Sequence, residues 1–275
     1  MDGDNLGTVT QTLTELGYVA VTMTLKSSLF FSPQRRVRVY IVAYLVPGGS
    51  LDVGDSIKNV PDLVKRFEFA SEGLDDFILD DDHAYVKSDF DRRMHNRSAD
   101  QAPGKALGGG ASWKNKYTEI LQSKGQAVSS CVVPKAARSS VWFNTLTPRC
   151  QMVLGHALNN NQSCFFVDCY QSLQREFVSS SKTECSTIVP GSVLWSTALA
   201  RPLLGPELLK IQGLPDSVVE RAISEKISDH SMIDLAGNSF TGFVFAAAAI
   251  AALVHAPAWT QSSSLLDSVA SIFDL

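Results

Sequence analysis

The sequence predicts a mixed α/β fold, and three observations carry that prediction. Residues 18–25 and 37–46 are rich in Val, Thr and Tyr and read as neighbouring strands. Later segments show helical spacing with recognisable caps, as at Thr147-Pro148. Near the end, residues 240–255 form an alanine-rich apolar run with high helix propensity.

In chain order, residues 8–16 read as a short helix with Gly17 at its end. The strands 18–25 and 37–46 flank a loop containing Ser32-Pro33-Gln34. The second strand is apolar enough to predict the edge of a mixed sheet with both faces covered. Pro47-Gly48-Gly49 breaks the pattern, and residues 47–110 read as loop-rich, with an acidic run at 75–82 and a glycine hinge at 108–110. A short helix is expected at 113–122 and a longer one at 146–158. A strand at 165–167 delivers Asp168, and an extended stretch at 186–195 runs around Pro190-Gly191. Helices follow at 206–211, which Gly213 and Pro215 end, and at 216–226. Residues 233–236 then lead into Gly237-Asn238-Ser239, a turn that starts the final helix.

Composition narrows the function classes. At 45% apolar and 19% charged residues, the chain is a folding sequence and not a disordered one. The net charge of −4 hides an asymmetry. Residues 51–100 hold 13 acids against 7 bases, whereas 101–160 hold 7 bases against the single acid Glu119. That basic stretch (Lys105, Lys114, Lys116, Lys124, Lys135 and Arg138 among it) is either a phosphate-facing surface or a solvated, locally biased one. Five scattered cysteines without a C-x-x-C pair give neither a disulfide scaffold nor a zinc pattern. The N-terminal residues lack a signal-peptide core. The apolar run 243–254 has twelve uncharged residues, short of the roughly 20 that span a bilayer. The three glycines at 108–110 lack the flanking strand and Lys-Ser/Thr of a phosphate loop.

Four blocks resemble the C-terminal order of the cytosine-5 DNA methyltransferase family. Pro33-Gln34-Arg35-Arg36-Val37-Arg38 resembles its Pro-Gln-x-Arg-x-Arg at a strand start. Arginines two apart on a strand share a face, where both could hold a phosphate or base edge; an exposed basic strand start is the plainer reading. Asp168, Gln171, Ser172 and Arg175 resemble a D-x-x-Q-S-x-x-R element of divergent members, followed by Pro190, Ser192 and Trp195. Arg201 with Glu207 and Gln212-Gly213-Leu214-Pro215 resemble the block that organises the recognition module, with Leu214 where the family carries Phe. Gly237-Asn238-Ser239 matches the Gly-Asn-Ser/Ala turn.

The resemblance implies the C-terminal part of a Rossmann-like, S-adenosylmethionine-dependent methyltransferase domain with an inserted, irregular α+β target-recognition domain. It implies sheet strands at 1–46, target recognition at 47–194 and a return to the methyltransferase domain at 195–275. It also implies auxiliary roles for Arg36 and Arg38 at the target base, a bracing or DNA-contacting role for Gln34, and a donor-pocket wall at Gly237, Asn238 and Ser239. For those three residues, plain helix capping is the competing account. Double-stranded DNA is the implied partner, and the nucleus or another DNA-containing compartment the implied location.

The family's chemistry also needs a Pro-Cys nucleophile, a Glu-Asn-Val glutamate and a glycine-rich donor loop, and this sequence contains none of them. Thr147-Pro148-Arg149-Cys150 does not replace the nucleophile: an arginine interrupts it, and it follows the Q-x-R-x-R strand instead of preceding it. The expectation is a chain inactive alone, completed by a missing N-terminal half or a complementary subunit. A non-catalytic DNA-binding remnant and a structural or interaction protein are the alternatives.

Overall fold

The computed structural model describes residues 4–46, 56–71, 73–100, 112–127, 131–161, 163–175 and 178–256. In chain order the elements are α1 (Asp4–Glu15), β1 (Tyr18–Lys26), β2 (Val37–Leu45), α2 (Val60–Lys65), α3 (Ala84–Asp100), α4 (Ser112–Ser123) and α5 (Lys135–Arg138). There follow α6 (Pro148–Asn160), β3 (Phe166–Asp168), β4 (Val178–Ser179), β5 (Leu194–Ser196), β6 (Arg201–Pro202), α7 (Gly205–Ile211), α8 (Asp216–Ser224), α9 (Asp229–Asn238) and α10 (Gly242–Val254).

These elements fall into two compact units. The first draws on Met1–Phe31, Val37–Ala70 and Gly242–Leu275, the second on Ser32–Arg36 and Ser71–Thr241. The borders differ from the expected breaks after 46 and 194, for two packing reasons. Helix α2 shares a core with β1, β2 and α10, so the first unit runs past residue 46. Strand β5 pairs with β3, so residue 194 lies inside the second unit.

In the first unit β1 and β2 form an antiparallel pair from Tyr18↔Leu45 to Lys26↔Val37. The period-2 pattern puts Val19, Val21, Met23, Tyr40, Val42 and Tyr44 on the core side. There they pack with α2 and with Val244, Ala247, Ala248 and Ala251 of α10. On the opposite face Val37, Val39, Ile41 and Leu45 are exposed. The sheet is thus covered on one face among the described residues, not on both as its apolar sequence suggests.

The second unit holds a four-stranded sheet of order β4-β3-β5-β6, antiparallel at every pair. The architecture is mixed α/β. The parallel, Rossmann-like sheet is not among the described strands, which pair antiparallel throughout; the parallel pairings among the described residues are isolated bridges outside the strands. Around this sheet, Val86, Leu121, Trp142, Leu154, Val167 and Trp195 belong to one buried core.

Helix α3 is the main element the sequence conceals. Its 17 residues lie in the stretch read as loop-rich. It is polar around most of its circumference, so no apolar stripe marks it. Val86 and Phe90 reach the core, and a long-range ion pair and a hydrogen bond tie the helix further. Arg93 Nη2 reaches Asp229 Oδ2 at 2.6 Å, and Tyr85 Oη donates to Asp229 Oδ1 at 3.2 Å. By length and composition the stretch Asp229–Val254 is apolar enough to cross a membrane. It is two helices, however, since α9 ends at Asn238 and α10 starts at Gly242.

Candidate functional site

The motif-bearing residues of the second unit are joined by a buried chain of amides. Pro33 and Arg35 clamp Cys185: Cys185 N donates to Pro33 O, and Arg35 N to Cys185 O, each at 2.9 Å. Between them the Gln34 side chain is fully buried, and its Nε2 donates to Gln212 Oε1 at 2.8 Å. Gln212 Nε2 in turn donates to Ala236 O at 2.7 Å, and Thr241 Oγ1 to Gln212 Oε1 at 3.3 Å. Ser32 Oγ completes the set by donating to Ile211 O at 2.8 Å. One side chain from Q-x-R-x-R therefore meets the Q-G-x-P glutamine, which grips the helix that carries Gly237. A buried amide with its partners satisfied specifies one arrangement, because breaking any bond leaves a desolvated polar group. Gln34 is enclosed by protein, and its burial is at odds with direct contact to DNA.

The two arginines part company. Strand β2 starts at Val37, so Arg36 precedes it and the pair does not share a strand face. Arg36 is buried and its Nη1 donates to Ile188 O at 3.2 Å. Arg38 is exposed on β2, with Nη1 on its neighbour's carbonyl, Val37 O, at 2.8 Å.

Arg201 and Glu207 of the third block form an ion pair. Both side chains are fully buried. Arg201 donates to Glu207 through Nη1 at 3.0 Å and Nη2 at 2.8 Å. Glu207 also accepts from Leu204 N at 2.7 Å, closing the first turn of α7, and from Leu79 N at 3.0 Å. Arg201 Nη2 returns the contact to Leu79 O at 3.0 Å. The pair thus ties the loop before α3 to β6 and α7.

Gly237-Asn238-Ser239 is not a turn starting the last helix. Gly237 and Asn238 sit in the final turn of α9, and Ser239 is its C-cap, with its N–H on Leu235 O at 2.9 Å. Asn238 is therefore inside a helix and caps no N-terminus, which removes the capping account. Gly237 is buried for a packing reason: a Cβ there would lie 2.1 Å from Pro190 N and 2.3 Å from Val189 C. The space beside it is filled by protein backbone. Asn238 is exposed, and Ser239 Oγ donates to Ala236 O at 2.9 Å.

Among the basic residues, Lys114 and Lys116 are exposed on α4, and Lys135 and Arg138 on α5. Lys124 Nζ is held by Leu173 O at 2.5 Å. Lys105 lies outside the described residues.

Asp168 closes β3 and is buried. It accepts from Tyr170 N at 3.1 Å and Ser192 Oγ at 3.4 Å. Burial pushes its carboxyl above the usual range, against these hydrogen bonds. It lines a cleft with Gln171 and Arg175, as the D-x-x-Q-S-x-x-R spacing hints, but also with Arg35, Ser186 and Thr187. Arg35 occupies a variable position of its motif, so spacing alone gives no signal for it.

The thiols are structural. Cys131, Cys150, Cys169 and Cys185 are buried, and Cys164 is half-buried. Burial pushes the Cys150 thiol up, and Thr147 and Arg149 only partly counter it. A protonated, enclosed thiol is a poor nucleophile. Thr147 does cap α6, accepting from Cys150 N at 3.3 Å.

Residues 1–252 match the model of the C-5 cytosine-specific DNA methylases, and the chain belongs to that family. Membership implies an S-adenosylmethionine-dependent reaction in an intact enzyme. One relative is the DNA (cytosine-5-)-methyltransferase DMT5 of Verticillium dahliae, 33% identical over 82 residues. The aligned stretch is 30% of this chain and 3% of that protein, so the chain spans a small fraction of this relative's length.

Proposed function

We propose that this chain is the target-recognition and donor-wall portion of a DNA (cytosine-5-)-methyltransferase. The observation that carries the reading is the buried Gln34–Gln212–Ala236 chain, in which two glutamine side chains join three family blocks, the last at its backbone. The intact enzyme flips a cytosine out of duplex DNA and methylates C5. Exposed Arg38 contacts the target nucleotide. Arg36 fixes the segment in front of β2 through Ile188 O. Gln34 braces that segment. Lys105, Lys114, Lys116, Lys124, Lys135 and Arg138 supply the sequence-independent attraction to the backbone, with Lys124 weakened by its bond to Leu173 O.

The methyl donor, S-adenosylmethionine, supplies the activated methyl group when bound. The residues fit it in part. Asn238 offers an exposed amide and Ser239 a hydroxyl beside it, while Gly237 is closed off by Val189 and Pro190. Asn238→Asp separates a donor role from a structural one: donor affinity drops in a protein carrying the upstream family blocks, while the melting temperature holds. Unchanged affinity removes residues 237–239 from the site.

The exposed face of β2, with Val39 and Ile41, supports a covering partner: the N-terminal half of the methyltransferase domain or a complementary subunit. A DNA substrate puts the enzyme in the nucleus or another DNA-containing compartment. A non-catalytic DNA-binding module is the second reading, favoured by the lack of Pro-Cys and Glu-Asn-Val in the sequence.

Labelled-donor transfer to duplex DNA tests both. The chain alone reads background, and adding the upstream blocks restores transfer. Transfer by the chain alone that Cys150→Ser abolishes would overturn the assignment of roles. DNA binding that is equal in the wild type and in a six-site alanine variant of the basic residues removes them from the interface.

A further inference from the structure

Two basic side chains of the second unit lie against aromatic rings. Lys114 Nζ is 5.9 Å from the ring centroid of Trp113. The Arg149 guanidinium is 5.1 Å from the ring of Tyr170 and 5.9 Å from that of Tyr117. Trp113 in turn meets Tyr117 edge to face at 5.9 Å. Trp113, Tyr117, Arg149 and Tyr170 thus form one run of ring and guanidinium contacts. It passes from the start of α4, by the first turn of α6, to the loop after β3.

The run is fixed at its centre and open at its end. Tyr117 is buried, and its Oη accepts from Arg149 Nε at 3.1 Å and donates to Gln171 O at 3.3 Å. Tyr170 is held by its backbone: its N–H donates to Asp168 Oδ1 at 3.1 Å, and its carbonyl accepts from Arg149 Nη2. The Tyr170 residue is nevertheless 47% exposed. An aromatic residue left in water while its backbone is pinned on both sides is a preorganised surface, because its ordering entropy is lost on folding and not on binding. Its surroundings are basic. Lys114 and Lys116 are exposed on α4, and Glu119 is the single acid of that helix. A ring beside cations matches what an unstacked nucleobase on a charged strand needs: a π surface for the base and positive charge for its phosphates.

We propose that Tyr170 stacks one unpaired base of DNA, the kind left in a duplex when its partner is flipped out. Arg149 positions the ring, and Lys114 and Lys116 attract the flanking phosphates. The inference rests on the DNA-recognition reading and adds to it the residue that meets the unpaired base.

The full chain is titrated with two duplexes of one sequence, the first fully paired and the second with an abasic position that leaves the opposite base unpaired. The wild type binds the abasic duplex about tenfold more tightly, the worth of roughly one base–aromatic stack. Tyr170→Phe keeps that ratio. Tyr170→Leu, which retains apolar bulk without a π face, brings it to about one. Arg149→Gln lowers the ratio by releasing the ring. Lys114→Gln/Lys116→Gln weakens binding to both duplexes alike, and lowers the slope of log Kobs against log salt by about two. A wild-type ratio of one, or a preference that survives Tyr170→Leu, overturns the stacking role, while salt-dependent binding of the paired duplex leaves the recognition reading standing. A preference lost as fully in Tyr170→Phe as in Tyr170→Leu assigns the contact to the hydroxyl and likewise overturns stacking. Absence of salt-dependent binding to either duplex removes the recognition reading and the stacking role with it.

Discussion

Gly237 shows how one residue can be right in a motif and misread in its physics. Its sequence context invites a turn glycine beside a ligand. Its backbone is helical, and the missing side chain makes room for Val189 and Pro190. Gly237→Ala should destabilise the chain by about 1–3 kcal/mol, the usual cost of forcing atoms into a packed site, read as a fall in denaturation midpoint. Asp168 has a pH signature. Burial raises its carboxyl, and a carboxyl raised on folding stabilises fully below its unfolded pKa and loses that contribution as pH climbs through the folded value. Between the ordinary carboxylate range and that raised value, stability should fall with rising pH, and Asp168→Asn should flatten the slope in melting curves. Asp168, Gln171 and Arg175 were legible together because their spacing marks a motif. Arg35 and Ser186 were not: Arg35 lies more than 130 residues before Asp168 and Ser186 falls outside the motif, so neither leaves a local trace.

At the scale of elements, the sequence is clearest where one helix or strand carries its own signals. Strands β1 and β2 announce themselves by β-branched alternation, and α6 by Thr147 and Pro148 at its start. Helix α3 is silent because its stabilising partner, Asp229, lies 136 residues beyond Arg93. Asp229 also accepts from Gly205 N at 2.6 Å, so the same carboxylate anchors α3 and the start of α7. Arg93 Nε bonds a second buried carboxylate, Asp89, at 2.5 Å. Arg93→Ala should cost about 3–5 kcal/mol, because it leaves the buried Asp229 without its counter-charge, whereas Asp89 keeps Arg92. Amide exchange would place the loss first in residues 84–97. Protection there equal to that of the wild type would count against the ion pair as the anchor.

For the molecule as a whole, the α/β class and the family were readable from ordered motifs, while the sheet topology was not. Strand pairing depends on which segments meet, and β3 to β6 are only two or three residues long, too short for periodicity to mark. The borders of the units follow the same logic, since α2 joins the first unit through a core that closes across the chain. The five thiols, four buried and one half-buried, turn this architecture into its own stopwatch. A thiol-specific reagent can reach a buried sulfur only when the surrounding structure opens, so each cysteine times the breathing of its own neighbourhood. Half-buried Cys164 should be tagged first. Cys169, beneath the sheet, and Cys185, in the clamp around Gln34, should wait for wider opening. Mass spectrometry of partly tagged chains would then order the collapse of the fold, and loss of the Gln34 amide should bring Cys185 forward while leaving Cys169 late.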